Sequence, residues 1–138
     1  MPPPSDHPCL HLHILPKPFF VAKLEPHEQV PAAVADALLK GDKFISLTRT
    51  KEELSFVGEE NEALPEPFRN CTWRGIKVQG PMEFELTSVA AGFTAPLGAA
   101  GIGVFVLATW NTDYILVAAD KFELAVEALK TDGWRFAE

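Results

Sequence analysis

Between Lys77 and Lys121 the chain carries no lysine or arginine, and its charged residues there are Glu83, Glu85, Asp113 and Asp120. A helix is expected to open near Thr87. Its first turn presents backbone N–H groups without intrahelical partners and the positive end of the helix dipole, a combination that holds carboxylates. Acidic side chains close to such a helix start suit a zwitterion or a basic amino acid, with the carboxylate on the amides and the cation on Asp113. Two plainer roles stand beside this one. Glu83 and Glu85 could complement the helix dipole on a solvated face, and Asp113 could cap its own turn. Trp110 falls in an expected turn, where an aromatic ring covers a ligand or meets another subunit. Trp73 and Trp134 are expected in the core. His11 and His13 share one side of a strand and lack an evident third metal ligand, so solvated edge histidines are expected. Cys9 and Cys71 have no CxxC spacing and read as inert free thiols. No nucleophile elbow, P-loop or paired carboxylates can be read, so an enzyme is not expected.

The elements that must position these groups follow from periodicity and punctuation. Leu10 to Leu15 alternates apolar and polar residues, and Phe19 to Leu24 reads as a second strand. Pro31 to Lys40 reads as a short helix with Val34, Ala37 and Leu38 inward and Gly41 as its stop. Lys43 to Arg49 and Leu54 to Gly58 are strands about a turn at residues 50–53. Residues 59–70 are polar, with Pro65 and Pro67, and mark a linker. Trp73 to Gln79 is a strand closed by Gly80 and Pro81. Thr87 to Ala100 is an Ala-rich helix, shortened or kinked by Gly92 and Pro96. Gly103 to Thr109 and Asp113 to Val117 form a hairpin. Asp120 to Asp132 is a helix with Asp120 as N-cap, Glu123 in a capping box, and a stripe of Phe122, Ala125, Val126 and Leu129.

Composition excludes several classes. The 138 residues suit one compact domain or two small ones, and 47% hydrophobic with 22% charged residues is ordinary for a folded chain. Residues 1–70 hold 7 basic against 11 acidic side chains, and residues 71–138 hold 5 against 8. Nucleic-acid binding needs a clustered basic footprint that neither half offers, and an anionic membrane surface is disfavoured likewise. The longest apolar run, Ile102 to Thr109, is strand-sized rather than membrane-spanning. Met1 to Pro4 supplies neither part of a signal peptide, so a reducing cytosol is the expected compartment.

Each half reads strand, helix, strand, strand. Phe44 stands four residues before Thr48, as Phe105 stands four before Thr109. Such a repeat implies a duplicated ferredoxin-like α+β sandwich, antiparallel sheets with helices on one face. Val78 to Pro81, then a helix, then Ala95 to Phe105, resembles the ACT domain. Thr109 to Val117 narrows the resemblance to tandem ACT proteins similar to the animal cytosolic arginine sensors, and Phe44 to Thr50 with Glu53 to Ser55 matches the same subfamily. The expected organisation is a flexible tail over 1–9, a first ACT-like unit over 10–70 whose second helix is reduced to the loop around Glu62 to Phe68, and a second ACT unit over 71–138.

The resemblance implies a non-catalytic, cytoplasmic regulatory module that needs no cofactor and binds an amino acid between two ACT units. Carried over by position, Glu83, Phe84, Glu85, Leu86, Thr87, Ser88 and Val89 form the loop and helix start. Thr109, Trp110, Asn111, Thr112 and Asp113 form the turn, and Ile102, Gly103 and Val104 come from a neighbouring unit. Glu83 and Ser88 stand where the sensors have glycines, which narrows the pocket or changes its ligand. An arginine-like cationic ligand fits the acidic lining. One later-type unit per chain implies a homodimer, and a sensor implies a regulatory protein partner. The alternative is a ligand-free ACT scaffold used for protein interaction or dimerisation.

Overall fold

The computed structural model describes residues 7–81 and 89–137. In chain order these form a short 3-10 turn (Pro8–Leu10), β1 (Leu12–Ile14), β2 (Phe19–Leu24), α1 (Ala32–Lys40), β3 (Ile45–Arg49), β4 (Leu54–Glu59) and β5 (Trp73–Val78). There follow α2 (Val89–Ala99), β6 (Val104–Ala108), β7 (Asp113–Ala118), a 3-10 turn (Ala119–Lys121) and α3 (Phe122–Thr131). They make two compact units. Lys17–Trp73 is the earlier one; the described residues up to Pro16, together with those from Arg74 onward, are the later one.

In the earlier unit the strand order is β3-β4-β2, all antiparallel. Phe20, Ala22 and Leu24 line up with Gly58, Phe56 and Leu54 across the ladder, so one face gathers the large side chains. Val34 of α1 packs onto that face with Ala37, as expected; Leu38, also expected inward, is 42% exposed, and Ala33 packs there instead. No second helix follows β4. Residues 60–72 run as turns, as the two prolines require, and deliver Leu64 and Phe68 to the sheet. Phe68 meets Phe20 and Phe56 edge-on, with ring centroids 5.8 and 4.8 Å away.

The later unit runs strand, helix, strand, strand, helix, with the sheet order β1-β5-β7-β6. Helices α2 and α3 cover one face, where Leu12, Ile76, Val78, Ile115 and Val117 meet Phe93, Leu97, Ala125, Leu129 and Trp134. Both helices end as their glycines dictate. Gly101 (φ +75°) and Gly133 (φ +102°) take the left-handed conformation, and the following N–H groups of Ile102 and Trp134 reach back to Leu97 and Leu129 carbonyls.

Several expectations are corrected. Leu12–Ile14 pairs antiparallel with Ile76–Val78 and Leu12 bridges Phe136, so residues 10–16 belong to the later unit, not the earlier one. Residues 8 and 9, expected in a loose tail, form a 3-10 turn with Leu10, which is buried and was expected in a strand. β1 is therefore no solvated edge: His13 is half-buried and its Nε2 is shut from solvent without a partner. Asp120 does not cap α3; it sits in the preceding 3-10 turn, and no side chain caps that helix. The match of Thr48 to Thr109 is also overturned, because Thr48 lies inside β3 whereas Thr109 opens a turn. The residue with Thr109's geometry is Thr50. In each hairpin a four-residue turn starts with a threonine whose N–H donates to the carbonyl at the turn's end, Glu53 or Thr112, at 2.9 Å. In each, the threonine hydroxyl oxygen accepts the N–H groups of that last residue and the one before it.

Candidate functional site

The expected site residues divide into three groups by what the fold does with them. Glu83, Phe84, Glu85, Leu86, Thr87 and Ser88 lie outside the described residues. Val89 opens α2 and is buried in the core, so its side chain is committed to packing.

The second group is the β6–β7 turn. Ala108 pairs with Asp113, and residues 109–112 close the hairpin. Trp110 stands at the tip, 83% exposed. Thr112 is the opposite case. It is 1% exposed, and its hydroxyl donates to the Val78 carbonyl over 2.7 Å. Asp113 is next in the strand, on the other side of the pleat, and stays half-buried. Burial pushes its carboxyl above the usual aspartate value. Among the described residues it makes no ion pair.

The turn is seated on the end of β5. Gly80 is buried with φ +64°, and a Cβ there would stand 3.0 Å from Thr112 Cβ and 3.1 Å from the Asn111 carbonyl oxygen. Its N–H donates to the Cys9 carbonyl at 2.9 Å, and the Gln79 N–H donates to His11 at 2.8 Å. The fold thus holds Thr112, the residue before Asp113, against the end of β5. Sequence reasoning missed both Gly80 and the Cys9 carbonyl. A glycine directly after an apolar strand and before Pro81 was the available signal for a special backbone position.

The third group, Ile102, Gly103 and Val104, does not join the turn within one copy. Val104 pairs with Val117 at the far end of the hairpin, and five residues of strand separate it from Thr109, about 16 Å. Ile102 is in the core, Gly103 is exposed, and Val104 is half-buried. Among the described residues β6 is the outermost strand of its unit.

Two cavities lie elsewhere. A groove of about 490 Å³ on α2 and α3 is lined by residues such as Pro96, Leu124 and Glu127. One of about 170 Å³ is lined by Glu60, Asn61, Glu62, Arg69 and Cys71. Burial first, then Glu60 and Glu66, pushes the Cys71 thiol up, which keeps it protonated and weakly nucleophilic. Among the described residues no three His, Cys, Asp or Glu side chains group to hold a metal, and no helix is long and apolar enough to cross a membrane.

The later unit is a strand–helix–strand–strand–helix sandwich with an edge hairpin. Residues 69–131 match the ACT domain. It is 30% identical over 103 residues to the human "Putative protein CASTOR3P", covering 65% of this chain and 63% of that protein. It is 30% identical over 98 residues to the Bos taurus "Cytosolic arginine sensor for mTORC1 subunit 1", covering 63% of this chain and 30% of that protein. The chain therefore spans less than two thirds of these curated relatives. The crystal structure of protein Atu0741 from Agrobacterium tumefaciens superposes with a TM-score of 0.77 at 32% identity, over 92% of this chain and 91% of that one. ACT domains serve amino-acid-binding regulation.

Proposed function

We propose that the chain is a non-catalytic amino-acid sensor of the cytosol, with its ligand at an interface between two ACT units and a cationic amino acid preferred. The observation that carries this reading is the seating of the β6–β7 turn on the end of β5. It holds Thr112 against Val78 and Gly80, and Asp113, the next residue, is half-buried with no ion pair among the described residues. In this reading the amides near Thr87 hold the ligand α-carboxylate, Asp113 takes the cationic group, and Glu83 and Glu85 keep the surroundings negative. The Bos taurus relative is named an arginine sensor, which supports an arginine-like ligand.

The two units are read as a duplicated ferredoxin-like pair, a first over residues 17–73 and a second completed by β1. The matching threonine turns at Thr50 and Thr109 support this. The chain is read as a homodimer. Ile102, Gly103 and Val104 are too far along β6 to reach the turn of their own copy, so a second copy supplies them, related by two-fold symmetry. Exposed Gly103 permits close backbone approach. A sensor without catalysis acts through a protein partner.

The test is thermal unfolding with each of the twenty amino acids. A ligand that binds only the folded state at ~100 times its Kd adds about 2.7 kcal/mol. Arginine and lysine should raise the melting temperature most. No shift with any of them at millimolar concentration would leave an interaction module without ligand.

A further inference from the structure

Helix α2 is apolar on every side. Its 11 residues include no charged side chain, and the hydroxyl of its one polar side chain, Thr94, donates back to the Ala90 carbonyl at 2.8 Å. Val89, Phe93 and Leu97 face the core, while Ala91, Ala95 and Ala99 stand exposed. A helix with water along its outer face normally carries charge there; one without charge has the composition of a helix covered on both sides. Beside it, Leu124 of α3 lies off the buried stripe and is 50% exposed. The two helices flank the groove of about 490 Å³, with Pro96, Ala99 and Ala100 along one wall and Leu124, Glu127 and Asp132 along the other. The wall at Pro96 is fixed from inside. Proline has no N–H to give the Gly92 carbonyl, and the Trp134 indole donates to that carbonyl instead, at 3.3 Å. The segment after α3 is thereby tied to the middle of α2, and the groove is preformed.

The groove also has a sign. Its lining holds two carboxylates and no lysine or arginine. Glu123 stands one turn before Glu127 on α3, a like-charge i,i+4 pair that weakens a helix left to itself. Glu123, Glu127 and Asp132 make no ion pair among the described residues. The lysine of that stretch, Lys130, holds its ammonium 5.8 Å from the Phe136 ring centroid. Such a rim repels an anionic lipid surface, and a second copy of a chain with net charge −7 brings more of the same charge. We propose that the α2–α3 groove is a docking site for a basic amphipathic helix of another protein, with apolar side chains between Ala99 and Leu124 and lysines or arginines on Glu127 and Asp132. A helix suits the groove better than an extended segment. The walls are helices whose backbone groups are bonded within themselves, so a strand would find no ladder to join, whereas small residues such as Ala99 and Ala128 let a third helix approach to the usual ~8–10 Å.

This inference builds on the sensor reading by naming the partner's chemistry, and its test runs without any amino acid. The full-length protein is titrated with a peptide of ~14 residues, about four turns, carrying leucines at helical spacing and lysines between them. Fluorescence anisotropy reads affinity, and backbone amide shifts locate the peptide. Saturable binding with shifts concentrated at Ala99, Ala100, Leu124 and Ala128 is expected. The same composition in alternating, strand-like order should bind about tenfold more weakly or worse, and glutamates in place of the lysines should abolish binding. Glu127→Lys with Asp132→Lys should weaken the lysine peptide about tenfold, and Leu124→Asn should do the same. A charge-matched pair in the earlier unit, Glu25→Lys with Glu52→Lys, should leave it unchanged. All five positions are exposed, and were the Glu127–Asp132 pair to lose its fold, Leu124→Asn carries the same test. Equal weakening by the two charge pairs, shifts spread over the whole acidic surface, or equal binding of the alternating peptide overturns the proposal. So does light scattering that shows a dimer dispersed by Leu124→Asn, because the groove then belongs to a second copy. A blank titration with arginine counts against the sensor reading alone and leaves these expectations as they stand.

Discussion

Asp113→Asn separates binding from stability because the two move in opposite directions. The side chain keeps its size and loses its charge. In the unliganded protein the folded-state pKa of Asp113 is raised by burial, with no ion pair among the described residues to offset it. The sign follows from proton linkage. Below the unfolded value, about 3.9, the group is protonated in both states and opposes nothing; as pH rises through the higher folded value, charging it costs the folded state more than the unfolded one. At about pH 7 the asparagine variant should therefore melt at or above wild type, with the gap closing towards pH 3. Ligand binding runs the other way. A charge-assisted hydrogen bond contributes ~1.5–3 kcal/mol, so arginine should bind the variant roughly 10- to 150-fold more weakly. A bound cation also pulls the Asp113 pKa back down, so wild-type affinity for arginine should fall as pH drops towards 4. Thermal melts from about pH 3 to pH 8, with and without arginine, read both effects. An unliganded variant that melts several degrees below wild type at neutral pH would show that the carboxylate is part of the turn, and unchanged arginine affinity would remove it from the site.

Other positions carry sharper stability consequences. Gly80→Ala forces an L-residue into a left-handed conformation, ~1–2 kcal/mol, on top of the contacts at 3.0 to 3.2 Å with Thr112 and Asn111. A urea midpoint lowered with an unchanged slope checks it. Phe68→Ala removes the ring that stands in for a missing helix over Phe20 and Phe56. It should cost about 3–5 kcal/mol, with exchange quickened first in residues 17–73. Trp110→Ala, at a position 83% exposed, should leave unliganded stability within about 0.5 kcal/mol while lowering ligand affinity or self-association, measured by titration and light scattering.

Local elements were legible because their signals are local. The stripe of α3, the glycines that end α2 and α3, and the β6–β7 hairpin follow from periodicity and from residues with restricted or special backbones. The replaced second helix of the earlier unit was also readable, since Pro65 and Pro67 break a helix wherever they stand. What was not legible depended on contacts distant in sequence. Nothing in Leu12 or Ile14 says that they pair with Val78 and Ile76, so β1 was placed with its sequence neighbours. Thr48 and Thr50 look alike as letters, and only hydrogen bonding shows that Thr50 shares the turn geometry of Thr109. Asp120 had the residue type of a cap, but the chain enters α3 through a 3-10 turn that puts Lys121 at that position. In the candidate site, Thr112 and Asp113 read as one polar pair. Thr112 is buried with its hydroxyl on the Val78 carbonyl, whereas Asp113, the next residue, stays half-buried, and only the hydrogen bonding shows that difference.

In the proposed function, Asp113 and the helix start near Thr87 form a site for a cationic amino acid. Calorimetric titration of the full-length wild type at about pH 7 with arginine, lysine, leucine and glutamate tests it most directly. Arginine should give saturable heat, lysine weaker binding, leucine little and glutamate none. Saturable binding of glutamate would contradict the charge argument while keeping the site, and the absence of heat with all four at millimolar concentration would contradict the sensor itself.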